Sequence, residues 1–320
     1  MSPLAAAISS PLRIVSLIPS ATEIVAALGL ADSLVGRSHE CDYPLAVQQL
    51  PICTAPKFNP AGSSAQINDR VTDLLQSALS VYEVKTELLE QLQPTHILTQ
   101  AQCDVCAVNL ADVEQAVATL THSHPQVISL QPDTLGDVWG DIQRVAEALQ
   151  VSDRGQQLLA NLQGRVQACQ EKSQTLVKPT VACIEWTDPL MAAANWIPEL
   201  VTLAGGTALF GSVGQHSPWL SWDALSSANP DVLIFMPCGF DLSRTKQEVL
   251  PLTDRQEWAD LRSVQTGQVY FTDGNQYFNR PGPRLVDSLE ILAEILHPEV
   301  FRFGYEETGW EQLSIAVQMY

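Results

Sequence analysis

Residues 133–174 carry helical periodicity throughout and no strand signal, and they stand between two segments in which short strands alternate with helices. Apolar residues recur at Leu135, Val138, Ile142, Val145, Ala146 and Leu149, the spacing of one helix face. Asp133 or Thr134 is placed to cap this helix. Ser152 or Asp153 is placed to cap a second one carrying Leu158, Leu159, Leu162 and Val166. So long a helical stretch is no flexible linker and predicts a spine joining two α/β lobes.

Before the spine, residues 13–19 form a short β-branched run ending at proline, which reads as a buried strand. Ser20 and Glu23 have the spacing of a capping box for a helix that Gly29 ends. Residues 33–37 read as the next strand, followed by a polar-aromatic turn to Pro44. Residues 51–68 are rich in Pro, Gly, Ser and Asn and read as loop, and residues 71–91 read as helix. A strand over 95–99, a helix over 111–120 and a strand over 126–130 follow.

After the spine, strands are predicted over 179–185, 231–236 and 268–272, and helices over 196–204, 222–228 and 284–296. Such alternation implies parallel βαβ units. The expected fold class is α/β, with two Rossmann-like lobes joined by a helical spine. The N-terminal lobe spans 1–132, the spine 133–176, the C-terminal lobe 177–298 and a tail 299–320. Phe301, Phe303, Tyr305 and Trp310 in the tail are expected to pack back on a lobe. The lobes also echo each other: Glu87 stands seven residues before Pro94 and a strand, and Asp223 seven residues before Pro230 and a strand.

Lys and Arg number 17 against 36 Asp and Glu, a formal charge of −19. That surplus argues against nucleic acid and against docking on anionic lipid. The longest apolar runs fall far short of the roughly 18–20 residues that span a bilayer. The first twelve residues hold no Lys or Arg, residues 4–8 are too short for a signal-peptide core, and no lipoprotein cleavage site precedes a cysteine. The expected compartment is therefore the cytoplasm, with the periplasm reserved for a processed form. Seven cysteines are present, an odd count in a chain too large to need disulfide staples. Cys103 and Cys106 form a CxxC, which reads either as a metal or redox pair or as two small loop residues. No phosphate loop, nucleophile elbow or zinc-protease helix motif appears, so no enzyme is expected.

Residues 13–29 (RIVSLIPSATEIVAALG), 35–44 (VGRSHECDYP), 92–99, 203–206, 217–230 (SPWLSWDALSSANP) and 269–284 punctuate nearly all of residues 13–297. In order and spacing they resemble the substrate-binding proteins of ABC importers for cobalamin, iron-siderophore and haem, with the cobalamin-binding branch the best match. The resemblance implies a ligand held in a cleft between the lobes, lined by loops at the C-terminal ends of strands. It implies cobalamin or a related corrinoid or metal chelate as ligand. It also implies that an acid on each lobe, here Glu87 and Asp223, docks on an ABC permease.

Carried over by position, the cleft segments place His39, Glu40, Cys41, Gln102, Cys103, Glu185, Trp186, Trp196, Phe240, Tyr277, Phe278, Asn279 and Arg280 against the ligand. Aromatics suit the faces of a flat macrocycle, and Asn279 and Arg280 suit its polar rim. Trp219, just before a helix, reads as core. His39, Cys41, Cys103, Cys106 and Cys238 are candidate metal ligands, with His39 able to reach a ligand's metal from the axial side or thiolates able to hold zinc or iron. The alternative reading is a cytosolic metal-binding or thiol-redox protein using these Cys and His residues.

Overall fold

The computed structural model describes residues 11–77, 81–101 and 110–313. In chain order the first half holds β1 (Ile14–Ser16), α1 (Pro19–Ala27), β2 (Leu34–Arg37), β3 (Thr54–Pro56), α2 (Ser64–Gln76), β4 (Tyr82–Val84), α3 (Thr86–Leu92), β5 (His96–Gln100), α4 (Leu110–Ala118) and β6 (Gln126–Leu130). Two helices follow, α5 (Leu135–Ala148) and α6 (Ser152–Ser173). The second half holds β7 (Thr180–Thr187), β8 (Leu190–Ala192), α7 (Ile197–Leu203), β9 (Thr207–Ala208), α8 (Trp222–Ala228) and β10 (Val232–Phe235). It closes with α9 (Leu242–Val249), α10 (Gln256–Asp260), α11 (Arg262–Gln265), β11 (Val269–Thr272), α12 (Leu285–Leu296) and β12 (Trp310–Gln312). This is a mixed α/β fold on largely parallel sheets, as the alternation predicts.

Two compact units divide the chain. The first takes in the chain up to Lys57, Ser80–Leu130 and Val145–Ser152; the second takes in Phe58–Leu79, Gln131–Arg144 and everything from Asp153 on. The boundary inside α5 differs from the expected lobe–spine–lobe division, because each end of that helix packs with a different unit.

In the first unit the sheet runs β2-β1-β5-β6 with every pairing parallel. Ile14 and Val15 on β1 and Ile97 and Leu98 on β5 are fully buried, as strands covered on both faces must be. The expected Ser20 capping box is not formed. Pro19, whose fixed φ suits a first helical turn, starts α1, and Ser20 Oγ is buried without a hydrogen-bond partner. Gly29 ends α1 with φ +72°, as expected.

The loop expected over 51–68 and the helix over 71–91 are both corrected. Ser63 and Gln66 form a reciprocal capping box that starts α2 inside the expected loop. β3 and β4 pair antiparallel, each three residues long and too short for alternation to register. Residues 58–77 then build into the second unit. The Thr187 hydroxyl donates to Ser64 Oγ at 2.8 Å, and Ser64 N–H donates to Glu248 Oε2 at 2.9 Å. Arg244 donates to Gly62 O and pairs with Glu248 at 2.6 Å. Removing an acceptor that serves both a backbone N–H and a guanidinium costs about 1–3 kcal/mol. Hydrogen exchange of residues 63–77 is therefore expected to quicken about tenfold or more in Glu248→Ala, with β1 and β5 unchanged.

In the second unit the sheet runs β12-β11-β10-β7-β8, with β9 beside β7. Its interior strands are parallel and its edges β8 and β12 antiparallel. Phe235, Phe271, Leu233, Leu225 and Trp258 belong to one continuous core. The predicted echo holds at the level of backbone: α3 and α8 each run seven residues with an acid in the first turn. Each ends at a left-handed residue, Gln93 or Asn229, directly before a proline. The tail is sewn to α12 by the buried Glu294, which accepts bonds from Tyr305 N–H at 3.1 Å and Trp310 Nε1 at 3.2 Å. Phe301 is buried, and β12 extends the sheet.

Thr134 caps α5, accepting from Asp137 N–H at 3.2 Å while Asp137 Oδ2 accepts from Thr134 N–H at 2.8 Å. Further along, Asp141 is 1% exposed, with Oδ1 paired to Arg144 at 2.5 Å and Oδ2 without a hydrogen-bond partner. Burial outweighs Arg144 and pushes the Asp141 pKa up to about 6. Its folded pKa lies above the unfolded value, so the folded state holds the proton more tightly and stability falls as pH rises through that window. Asp141→Asn, which cannot ionise, is expected to gain urea stability relative to wild type between pH 4 and pH 7. A gap that stays constant across that range counts against the assignment.

Candidate functional site

In the first unit the site is the turn after β2. The buried Arg37 guanidinium donates to the carbonyls of Ser38 (3.0 Å), Cys41 (3.0 Å) and Gln48 (3.1 Å), which fixes the backbone of the turn. Cys41 turns inward, 1% exposed, and receives the Thr22 hydroxyl at 3.0 Å. His39 and Glu40 are half-buried. Thr54 Oγ1 accepts His39 N–H at 3.0 Å and bonds His39 Nδ1 at 2.8 Å. The Tyr82 ring lies 5.2 Å from the imidazole, and its hydroxyl donates to Glu40 Oε1 at 3.4 Å. Burial, aided by Lys85 and Arg37, lowers the His39 pKa to about 4, so the ring is neutral at pH 7.

In the second unit the site is formed by the loops after β7, β10 and β11. Trp186 is half-buried, with its ring 5.2 Å from Phe240, over which Arg244 sits at 4.8 Å. Ser217 donates to Glu185 Oε2 at 2.6 Å. Cys238 is half-buried beside them, its N–H donating to Glu185 O at 3.2 Å. The loop after β11 folds on Asp273, which accepts Asn275 N–H at 3.0 Å and Gln276 N–H at 2.7 Å; burial raises its pKa against these bonds. Gly274 is required here, since a Cβ would collide with Pro237 O. Asn279 Nδ2 donates to Met236 O at 3.0 Å, which ties the β10 and β11 loops together. Tyr277 is half-buried under the Arg284 guanidinium, and the buried Arg280 donates to Asn275 Oδ1 at 2.9 Å.

Several expected ligand contacts need correction. Phe278 is fully buried, and Trp196 is buried with its indole N–H donating to Phe278 O at 2.7 Å. These two rings brace the loop from inside and present no face to a ligand. Trp219 errs the other way: expected in the core, it is 63% exposed and bridges to Met191 at the sheet edge. Gln102, Cys103 and Cys106 lie outside the described residues. Among the described residues no three His, Cys, Asp or Glu side chains converge on a point suited to a metal ion. Burial pushes the Cys53 thiol up to about 11 and the Cys183 thiol up to about 12, so both stay protonated at neutral pH. Thr54, Tyr82 and Arg244 were missed. The first two sit on or beside strands too short to read, and Arg244 lies in a helix that no motif marks.

Residues 14–276 match the model of the periplasmic binding protein family. The chain belongs to that family. An uncharacterized ABC transporter substrate-binding lipoprotein, YvrC of Bacillus subtilis, is 23% identical over 91% of this chain and 82% of its own. The periplasmic vitamin B12-binding protein BtuF of Vibrio cholerae has a solved structure with TM-score 0.64 and 21% identity, covering 89% of this chain and 96% of that one. A periplasmic heme-binding protein from Pseudomonas aeruginosa has TM-score 0.71 and 17% identity, covering 95% and 99%. The family match makes the chain a periplasmic binding protein, and these relatives are binding proteins and not enzymes. The cytoplasmic expectation is corrected: relatives described as a lipoprotein and as periplasmic proteins point outside the cytoplasm, and the charge of the first residues was a poor guide. No described helix is long and apolar enough to cross a membrane.

Proposed function

We propose that the chain binds cobalamin or a related corrinoid, with the loops after β7, β10 and β11 as the candidate contact surface of the second unit and the turn after β2 as that of the first. The half-buried Trp186, backed by Phe240 and next to Glu185, whose carbonyl accepts the Cys238 N–H and whose carboxylate accepts the Ser217 hydroxyl, carries this reading. An indole fixed from behind offers a preorganised apolar face to a macrocycle at little entropy cost. Glu40, Glu185 and Asn279 supply polar contacts for amide groups on the rim. The similarity to a vitamin B12-binding protein supports a corrinoid, and the similarity to a heme-binding protein makes haemin the competing ligand to test. Glu87 and Asp223, both exposed in the first turns of matching helices, are the groups proposed to meet a permease.

Calorimetry with hydroxocobalamin tests the reading, with haemin titrated in parallel. Saturable one-to-one binding of the corrinoid supports it. Tight haemin binding without corrinoid binding, in protein shown folded by circular dichroism, overturns it.

A further inference from the structure

We propose that His39 meets the ligand as a hydrogen-bond donor through Nε2–H, held in that tautomer by Thr54, and not as an axial ligand to a metal. The inference rests on the corrinoid reading above and names the chemistry of one contact within it.

The argument is a count of hydrogens at one buried hydroxyl. Thr54 is buried, and its Oγ1 accepts the backbone N–H of His39 at 3.0 Å, a bond in which only the nitrogen can donate. The other partner of that hydroxyl is His39 Nδ1 at 2.8 Å. If Nδ1 carried the proton, Thr54 Oγ1 would accept twice and its own hydrogen would be buried with nowhere to go. A stranded buried donor costs about 1–3 kcal/mol. With Thr54 donating to Nδ1, every hydrogen is used. A neutral imidazole that accepts at Nδ1 carries its hydrogen on Nε2, and among the described residues Nε2 has no hydrogen-bond partner. A protonated Nε2 has no lone pair for cobalt or iron. It is suited instead to an oxygen acceptor on the ligand rim, and on a corrinoid that acceptor is a side-chain amide carbonyl. Arg37, which pins the turn from below, and Tyr82, which flanks the ring, keep Nε2 aimed in one direction.

Long-range 1H–15N correlation spectra of the ligand-free protein read the tautomer directly, with the His39 signals assigned by their loss in His39→Gln. The expected pattern is a protonated Nε2 and a bare Nδ1, shifting toward a mixture in Thr54→Val and staying put in Thr54→Ser. A protonated Nδ1 in wild type overturns the proposal. Binding of hydroxocobalamin and cyanocobalamin then gives a second readout. Wild type is expected to bind both within about threefold, with no change in the visible bands of hydroxocobalamin, because nothing displaces its axial water. His39→Gln, whose amide nitrogen can stand near Nε2, is expected to stay within about threefold, and His39→Ala to weaken both about five- to tenfold, the worth of one shielded hydrogen bond. A band shift in wild type that vanishes in His39→Ala sinks the proposal and leaves the corrinoid reading standing. Absence of any corrinoid binding sinks that reading whatever the spectra show.

Discussion

Trp186→Ala is expected to weaken corrinoid binding by about 30- to 100-fold. An aromatic anchor that closes on a ligand typically carries 2 kcal/mol or more, and each 1.4 kcal/mol is tenfold. The figure is large because the indole is already held: Phe240 lies 5.2 Å behind it, and its N–H donates to Asp188 O at 3.1 Å. Little freedom is left to lose when the ligand arrives. Trp186→Phe keeps a ring face and is expected to recover most of the loss. Trp196 gives the contrast. It is buried and bonded to Phe278 O, so Trp196→Ala should lower the melting temperature well before it changes affinity in the protein that remains folded. Affinity that survives Trp186→Ala unchanged removes the β7 loop from the ligand surface.

The second large effect is structural. Trp258→Ala is expected to destabilise the protein by about 3–5 kcal/mol, the range for deleting a large aromatic from a core. Trp258 is 2% exposed, stacked 6.1 Å from Phe235, and packed in the core on which β10 and β11 rest. Its indole nitrogen is buried with no hydrogen-bond partner. Trp258→Phe therefore loses volume but no bond, and should cost much less than the alanine variant. Urea titrations of the two variants separate these outcomes. Equal losses mean that the indole N–H has a partner after all.

The α/β architecture was readable because its strands are apolar runs set off by helices with strong periods. β6 falls on the predicted residues 126–130, and α8 on 222–228. The helical centre was readable for the same reason, down to a cap at Asp133 or Thr134, of which Thr134 takes the role. What stayed hidden was short or local. β3, β4 and β8 have three residues each, too few for a period of two to stand out from chance. α9 to α11 lie in a polar stretch where few apolar residues mark a face, on α9 only Leu242 and Val249. Among site residues, chain position marked the loops but not the direction of side chains within them. Cys41 and Glu40 are neighbours, yet one points into the core beside Thr22 and the other toward Tyr82. Trp196 and Trp219 were assigned opposite to their exposure, because a tryptophan before a helix can serve as a wedge or lie open, and only packing decides. The compartment was misread for a different reason: it rested on finding no recognisable leader pattern rather than on the family.

The docking of residues 58–77 also sets an order in time. Ser64 leaves the ribosome long before its partners, Thr187 standing 123 residues later and Glu248 184 residues later. The sheet of the first unit is complete once β6 has emerged, but α2 has to wait, half-apolar and without a seat, until α9 is made. Closing contacts across such separations costs chain entropy that grows only slowly with length, yet it slows folding, because nothing is gained until the late segment arrives. The second unit cannot be expressed from Asp153 onward as an intact body, since α2 and most of α5 would be missing from it. Divided into two units in space, the protein matures as one, and its last-made strand, β12, completes a sheet to which an early helix is already committed.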